Sequence, residues 1–408
     1  MSTQRPKIPN VSQNGFSSFR TDLFGRIKTS EAYTVFESIH RYEKSGDFSE
    51  FTSGTASITY LQHEGALSLA VGSNSGDTVT LESFKVFPFQ TGKSLQIMQT
   101  FCFAEPKENL RQRVGYFSRT NGIYLERDGS QTYIVWRSFV TGSLVETRIA
   151  QQDWNIDALD GEGGSDYVLD LTKSQMLWVE LTSMNSGSAR IGFAIDGYYI
   201  PVHQIDNSNN RTTPLFTTAS LPMRFEIANT GSTSGTSAMK QMSSAVISNG
   251  GIAKQTEQWT VTTNGVKTVT ESFTPLIALR LAPGREDAVI TTYAINIYPV
   301  SADDFEWALI KNPSSLTGGT WTTYSPKNNV QYNRTATAIS EGTYLFEGFF
   351  GSTNQNPTPM TEQSIDNYSY QLGRTNSDTP VSDVFVLCAR VVSGTGTVKA
   401  SFSWHDIV

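Results

Sequence analysis

Charge is scarce in this chain, and the charge that is present is mainly acidic. Asp, Glu, Lys and Arg make up 17% of the 408 residues, against roughly 25% in typical globular domains. The 38 acidic residues outnumber the 31 Lys and Arg, which gives a formal net charge of −7. Nucleic-acid binders usually present a basic surface. The balance of charge therefore predicts no nucleic-acid partner.

The sequence also lacks long apolar runs and has only two cysteines. No run of 18 apolar residues occurs, so the sequence predicts no membrane span. The start MSTQRPKIPN has no apolar signal-peptide core, and we expect no secretion by that route. The two cysteines, Cys102 and Cys388, lie on apolar strand-like runs. We expect them to be buried free thiols of a protein that folds in a reducing cytoplasm.

Sequence motifs for catalysis or cofactor binding are absent. The closest string to the G-x-S-x-G nucleophile motif is GSTSG (231–235), which has Thr at its centre. No Gly-rich phosphate-binding motif occurs. The sequence therefore predicts no cofactor and no catalytic residue. The four histidines have no spacing suited to a metal: His40, His63, His203 and His405.

Short runs of alternating apolar and polar residues are what the chain has in abundance. TASITYLQ (55–62), ALSLAVGS (66–73) and DTVTLESFKVFPF (77–89) show the period of two that is typical of half-buried strands. Glycines separate these runs at the 8–12-residue spacing of sandwiches. Asp196-Gly197 between two such runs predicts a hairpin. We therefore predict an all-β fold.

The strand pattern divides into two β-sandwich units of jelly-roll or lectin-like kind. Segment 31–51 is compatible with a short helix or a strand. DDFEWALIKN (303–312) resembles a short helix. The predicted organisation is an N-terminal arm at 1–30, a jelly-roll-like sandwich at 31–255, a linker hairpin at 256–275 with an Asn264-Gly265 turn, and a second sandwich at 276–408.

The N-terminal arm combines apolar side chains with a lack of periodicity. Pro6, Pro9 and the run SQNGFSS leave no regular element in it. One interpretation is a disordered terminus. The other is an extended arm that lies on a neighbouring subunit, which the apolar side chains favour.

An acidic turn holds the metal candidates of this sequence. Asp153, Asn155 and Asp157 alternate like the opening of a calcium loop, whose ligands are hard oxygens. The EF-hand pattern fails, because Ala158 and Gly164 stand where Gly and Glu are needed. The alternative is a solvated loop whose Asp and Asn side chains bond their own backbone. The sequence favours this alternative.

The same turn needs groups that offset its negative charge. Arg148 and Lys173 are the nearby cations, and the glycines of the turn free backbone N–H groups to point inward. Trp154 is expected to anchor the turn to the core.

Two further sets of residues are candidates for a sugar site. Paired carboxyls on facing strands would suit a glycosidase, and exposed aromatics would suit a sugar-binding platform. The simpler interpretation of the carboxyls is that they lie on a solvated face of a sheet. The simpler interpretation of the aromatics is that they pack in the core, and we favour both interpretations. The carboxyls are Glu126, Glu146, Glu180 and Glu226, and the aromatics are Trp136, Trp178, Tyr198 and Tyr199.

A combination of five segments resembles a family of virion structural proteins from tailed bacteriophages, of marine and cyanobacterial type in particular. The resemblance extends from FGRIKTSEAYTVFES (24–38) to VKASFSWHDI (398–407). The segments are GKSLQIMQTFCF (92–103), RVGYFSRTNGIYLE (113–126), QQDWNIDALDGEGGSDYVLDL (151–171), ARIGFAIDGYYIPVHQ (189–204) and LPMRFEIANT (221–230).

The resemblance implies a non-enzymatic structural component of a tailed-phage virion, made in the host cytoplasm. A tail, baseplate or fibre-associated place is expected first and head-surface decoration second. The implied partners are copies of the chain itself, as a homotrimer, and other virion proteins. A carbohydrate-binding module that recognises host surface glycans remains an alternative, as does a glycan-degrading enzyme.

Overall fold

A computed structural model describes residues 31–89, 92–182, 186–218, 220–251, 257–351, 370–376 and 378–407. The predicted N-terminal arm lies outside these residues. Strand makes up 57% of the structure and helix 1%, which confirms the all-β prediction. Contacts divide the chain into two units near residue 253, and Asn376 and Asp378 belong with the first.

Fifteen strands and one short 3-10 helix, Gln151–Asp153, build the first unit. The strands are β1 Ala32–Ile39, β2 Phe48–Ser53, β3 Ser57–Leu61, β4 Ala66–Val71, β5 Thr78–Ser83, β6 Ser94–Cys102, β7 Leu110–Phe117, β8 Gly122–Asp128, β9 Gln131–Ser138, β10 Val145–Ala150, β11 Gln175–Thr182, β12 Ser188–Ile195, β13 Tyr198–Asp206, β14 Met223–Asn229 and β15 Ser237–Asn249.

Two antiparallel sheets of the first unit face each other across one core. The first sheet has the order β13-β12-β11-β6-β15-β4-β3, with β1 also paired to β15, and the second has the order β10-β9-β8-β7-β14-β5-β2. Strict alternation supplies the core: in β14, Met223, Phe225 and Ile227 point inward and join the buried cluster that both sheets share. Segment 31–51 forms strands β1 and β2, which resolves the choice between helix and strand.

One predicted connection between strands is confirmed. β12 and β13 form a hairpin around Asp196 and Gly197, both of which have positive φ. That backbone geometry matches the twist of the flanking strands and suits an Asp-Gly pair. In the other sheet, β8, β9 and β10 form a meander.

Twelve strands build the second unit. They are β16 Glu257–Thr262, β17 Lys267–Val269, β18 Thr274–Leu281, β19 Val289–Pro299, β20 Asp304–Lys311, β21 Ser315–Thr317, β22 Thr322–Thr323, β23 Val330–Asn333, β24 Ala338–Ser340, β25 Thr343–Gly351, β26 Val384–Val391 and β27 Gly396–Ile407.

A smaller sandwich results from these strands. One sheet holds β16, β17 and β19 around β27, and the other has the order β22-β23-β18-β26-β20-β25. Side chains from both sheets share a buried cluster that includes Phe305, Phe385, Phe402 and Trp404. A small sheet of β21 and β24 adds to this unit.

Two predictions about the second unit are wrong. Segment 303–312 is strand β20 and not a helix: Phe305 and Leu309 face the core because strand pairing, and not local propensity, decides the conformation here. Segment 256–275 is not a linker hairpin. Strands β16 and β17 both pair with one edge of β27, since β19 occupies its other edge. Asn264-Gly265 therefore interrupts a single edge strand.

No helix in the part of the chain that the structure describes is long and apolar enough to cross a bilayer.

Candidate functional site

An open cleft lies at one side of the first unit, and we call it the edge cleft. It has a volume of about 500 Å³, which is within the range of small-molecule sites. Edge strand β10 of one sheet and edge strand β13 of the other both contribute to it. The lining residues are Trp136, Thr147, Ile149, Asn155, His203, Gln204, Ile205, Asp206, Asn210 and Arg211.

Asn155 fastens the acidic turn to β13 inside this cleft. Its Nδ2 donates to the Gln204 carbonyl at 2.8 Å, and its Oδ1 accepts from the Gln204 N–H at 2.9 Å. The backbone N–H of Asn155 also donates to Nδ1 of His203 at 3.1 Å. An Nδ1 atom that accepts a hydrogen bond belongs to a neutral imidazole, whose proton is on Nε2. Burial lowers the pKa of His203 against the opposing effect of Asp206, in agreement with the neutral form.

Arg211 and Trp136 form a stacked pair in the cleft. The guanidinium carbon lies 4.2 Å from the indole centroid, and the indole Nε1 donates to the Leu215 carbonyl at 3.1 Å. Because Arg211 covers the ring, Trp136 does not offer this face as a platform for a sugar. Sequence reasoning missed Arg211, which follows the Asn-rich stretch 207–210. Its stacking partner is 75 residues away in the chain, so no local pattern connects the two.

The three metal candidates do not converge on one point. Asp153 is exposed in the 3-10 helix, and Asn155 is bonded to the backbone of β13. Asp157 is buried, and its two carboxylate oxygens accept the backbone N–H groups of Leu159 at 2.9 Å and Ser165 at 2.8 Å. No group of three or more His, Cys, Asp or Glu suited to a metal occurs among the described residues.

Asp160 and Asp170 of the acidic turn are bonded in the same local manner. Asp170 accepts from the backbone N–H and the hydroxyl of Thr172, and these bonds hold the pKa of Asp170 below its usual value. Trp154 is buried in the core, as predicted. The prediction for Arg148 is wrong: it pairs with Glu126, and with Asp128 at 2.9 Å, both on β8 of the meander to which β10 itself belongs.

Six charged residues on the second sheet point away from the core and are nevertheless buried. We call this set the ionic face, and it consists of Glu82, Arg113, Glu126, Arg137, Arg224 and Glu226. Strand register explains the pairing, because Arg113 of β7 lies directly between Glu126 of β8 and Glu226 of β14. Opposite charges on adjacent strands attract across the sheet.

Each carboxylate of the ionic face is held by a guanidinium. Nε of Arg113 is 2.6 Å from Glu126, and its Nη1 is 3.2 Å from Glu226. Arg224 donates to Glu82 at 3.0 Å and to Glu226 at 2.8 Å, and it also pairs with Asp378 at 2.7 Å. The expectation that Glu126 and Glu226 lie on a solvated face is therefore wrong.

The arginines keep Glu226 ionised. Burial raises its pKa, but Arg224, Arg113 and Arg111 together outweigh burial and hold the pKa at about 2. A glycosidase acid must remain protonated near neutral pH, which needs a raised pKa. Glu226 has the opposite property.

The remaining sugar candidates are scattered over the first unit. Trp178 and Glu180 are on β11 of the other sheet. Trp178 is buried and lies 6.0 Å from Tyr199, edge to face. Tyr198 and Tyr199 are about half exposed, at 51% and 55%. These aromatics lie outside the edge cleft, and Glu146 is bound to Arg137.

Neither cysteine forms a disulfide. Cys388 is buried, whereas Cys102 is only half-buried, which departs from the prediction for that residue. Burial raises the pKa of both thiols, and a raised pKa makes a thiol a poorer nucleophile. His40 is buried and bonded to Gln241 at 2.6 Å.

Comparison with known proteins identifies structural likeness alone. No protein-family model matches the chain, and no curated protein matches it in sequence. The carbohydrate-binding module CBM2 of the evolved Dit of Lactobacillus casei BL23 phage J-1 is similar over 55% of this chain and 100% of that one, at 7% identity and a TM-score of 0.36. A carbohydrate esterase of the Shiga toxin-encoding bacteriophage phi24B is similar over 54% and 100%, at 13% identity and a TM-score of 0.30.

A Bacteroides ovatus mixed-linkage glucan GH16 protein is similar over 52% of this chain and 99% of that one, at 11% identity and a TM-score of 0.36. Two of these three proteins come from bacteriophages. At these identities and TM-scores, the likenesses carry no argument about function.

Proposed function

We propose that this chain is a non-enzymatic structural component of a tailed-phage virion, placed in the tail, the baseplate or a fibre. The observation that supports this proposal is the ionic face. Glu126 and Glu226 are two of the four carboxyls that the sequence offers for a glycosidase, yet Arg113 engages both of them together. For Glu226 the surrounding arginines hold the pKa at about 2, so this carboxylate stays ionised near neutral pH and is unsuited to act as a general acid.

The place in the virion is supported by the resemblance of the five segments to virion structural proteins. Antibody against the purified chain, applied to purified particles under the electron microscope, tests it. Label on the tail, baseplate or fibres is expected. Label on the head surface would contradict this place and support a role as a head-surface decoration protein. Absence of the chain from purified particles by mass spectrometry would overturn the virion role.

The proposal that the chain is not an enzyme is tested separately. The purified chain, incubated with a panel of polysaccharides, is expected to release no reducing ends. Release that Glu226→Gln abolishes, while the exposed-loop variant Tyr42→Ser retains it, would show that the ionic face is catalytic.

A second function, recognition of a surface carbohydrate, is favoured by the edge cleft. A cleft of about 500 Å³ with amide, hydroxyl, imidazole and guanidinium groups offers hydrogen bonds of the kind that sugar hydroxyls need. Host surface glycans are the class of partner that this function requires.

A further inference from the structure

We infer that the edge cleft binds an acidic saccharide, one whose sugar ring carries a carboxylate, as uronic and sialic acids do. The inference rests on the second candidate function, carbohydrate recognition, and adds to it the charge class of the ligand. It is independent of the place of the chain in a virion.

Arg211 supplies the binding site for the carboxylate. The guanidinium carbon of Arg211 lies 4.2 Å from the Trp136 ring centroid, and this contact holds the guanidinium over the indole at the cleft. Within the described ranges no carboxylate forms an ion pair with Arg211. A planar guanidinium binds a carboxylate with two parallel N–H···O bonds. Pre-ordering by the stack reduces the entropy that binding would otherwise cost.

His203 provides a second donor. Its Nδ1 is occupied by the Asn155 N–H, so the proton lies on Nε2. No described residue accepts from that Nε2 atom. The ring lines the same cleft as Arg211, and a ligand oxygen is a suitable acceptor for its N–H.

Asp206 makes the site selective for a sugar acid over a simple anion. Its Oδ1 accepts from Nε2 of Gln204 at 2.6 Å, and Gln204 is itself fixed by Arg190, whose Nη2 donates to Oε1 at 2.7 Å. The Asp206 carboxylate repels an anion and accepts hydroxyl groups. Asn210 and Thr147 add an amide and a hydroxyl to the lining. The set therefore suits a ligand that carries both a carboxylate and hydroxyl groups.

Titration calorimetry on the full chain tests the charge class. The probes are oligogalacturonate, oligomannuronate and sialyllactose, each compared with its methyl ester, which keeps the hydroxyls and loses the charge. We expect at least one acid to bind and its ester to bind about tenfold more weakly or worse, since charge-assisted bonds are about twice as strong as neutral ones. Equal binding of acid and ester would overturn the inference and leave carbohydrate recognition standing. Binding by none of the acids at millimolar concentration would also overturn it.

Substitution of Arg211 locates the site. Arg211→Gln is expected to lower affinity about tenfold or more. Arg211→Lys is expected to recover part of the loss, because lysine keeps the positive charge but lacks the planar guanidinium that donates two parallel hydrogen bonds. The matched control is Arg280→Gln in the second unit, where the same stack on Trp321 measures 4.3 Å; it should bind like the wild type. Wild-type affinity in Arg211→Gln, with an unchanged melting temperature, would place the site elsewhere.

Discussion

Arg113 neutralises two carboxylates at once, and its loss would leave both buried without their shared partner. It lies between Glu126 and Glu226 across adjacent strands, at 2.6 and 3.2 Å. Removing one member of a buried ion pair costs more than the pair itself contributes, because the remaining charge stays desolvated. Single side chains on the ionic face therefore control the stability of the first unit.

We expect Arg113→Met to lower the free energy of unfolding of the first unit by about 3–5 kcal/mol. Lys44→Met is the control, since Lys44 forms an exposed pair with Glu50 at 2.8 Å and such pairs contribute about 0–1 kcal/mol. Denaturant titration followed by tryptophan fluorescence measures both. Equal effects of the two substitutions would show that the ionic face is solvated in solution.

The pH dependence of stability should come in part from Glu226. Its pKa of about 2 lies below the ordinary value of 4.5, so its contribution is complete above the ordinary value and is lost as pH falls through the lower one. The free energy of unfolding should therefore fall as the pH is lowered from about 5 to about 2. Glu226→Gln should flatten this fall, and Glu180→Gln on the other sheet should not. If the free energy of unfolding of Glu226→Gln fell with pH as steeply as that of the wild type, the assignment of this pH dependence to Glu226 would be contradicted.

Asp157 is expected to act as a structural side chain and not as a metal ligand. Its two oxygens bond the backbone of Leu159 and Ser165, so Asp157→Ala should lower the melting temperature equally with calcium and with chelator. An ion that bound only the folded state would add about 2.7 kcal/mol at a hundredfold excess over its dissociation constant. A calcium-dependent rise in melting temperature that Asp157→Ala abolishes would establish a metal site.

At the scale of elements, the alternation of apolar and polar residues predicted the strands well. It could not predict which strands pair with each other. The Asp196-Gly197 hairpin could be predicted because the turn chemistry and the flanking alternation are local. The strand at 303–312 could not be predicted, since its apolar residues fit a helix as well as a strand. Only its pairing with β25 and β26 decides between the two. The edge cleft joins Trp136 to residue 211 and depends on how the edges of two different sheets meet. The ionic face joins side chains of β5, β7, β8, β9 and β14 and depends on register across one sheet.

The edge formed by β16 and β17 gives an element-scale prediction. Val261 and Val269 of these strands are buried in the second core, and both strands pair with β27. A fragment that begins at residue 276 removes this edge and exposes one side of β27. We expect it to be largely insoluble or to melt without cooperativity, whereas the fragment 254–408 melts cooperatively. Equal melting curves for the two fragments would restore the linker interpretation of 256–275.

At the scale of the whole molecule, sheet edges and exposed apolar side chains bear on self-association. β25 is the last strand of its sheet among the described residues, and it carries Phe349 and Tyr344, which are 75% and 49% exposed. An unpaired edge with apolar side chains is a template for association unless another chain covers it. Symmetric closure, as in a homotrimer, covers such edges without producing open fibres.

We therefore expect the purified chain to form a homotrimer through β25. Light scattering should give about three times the chain mass of 45.0 kDa, and Phe349→Ser should shift the mass toward the monomer. Because Phe349 is exposed, the substitution should leave the monomer's free energy of unfolding within about 0.5 kcal/mol of the wild type. Tyr42→Ser, at an even more exposed aromatic of the first unit, is the control and should leave the mass unchanged. A wild-type chain that is monomeric at micromolar concentration would contradict the trimer. A trimer that Phe349→Ser does not weaken would place its interface on another surface.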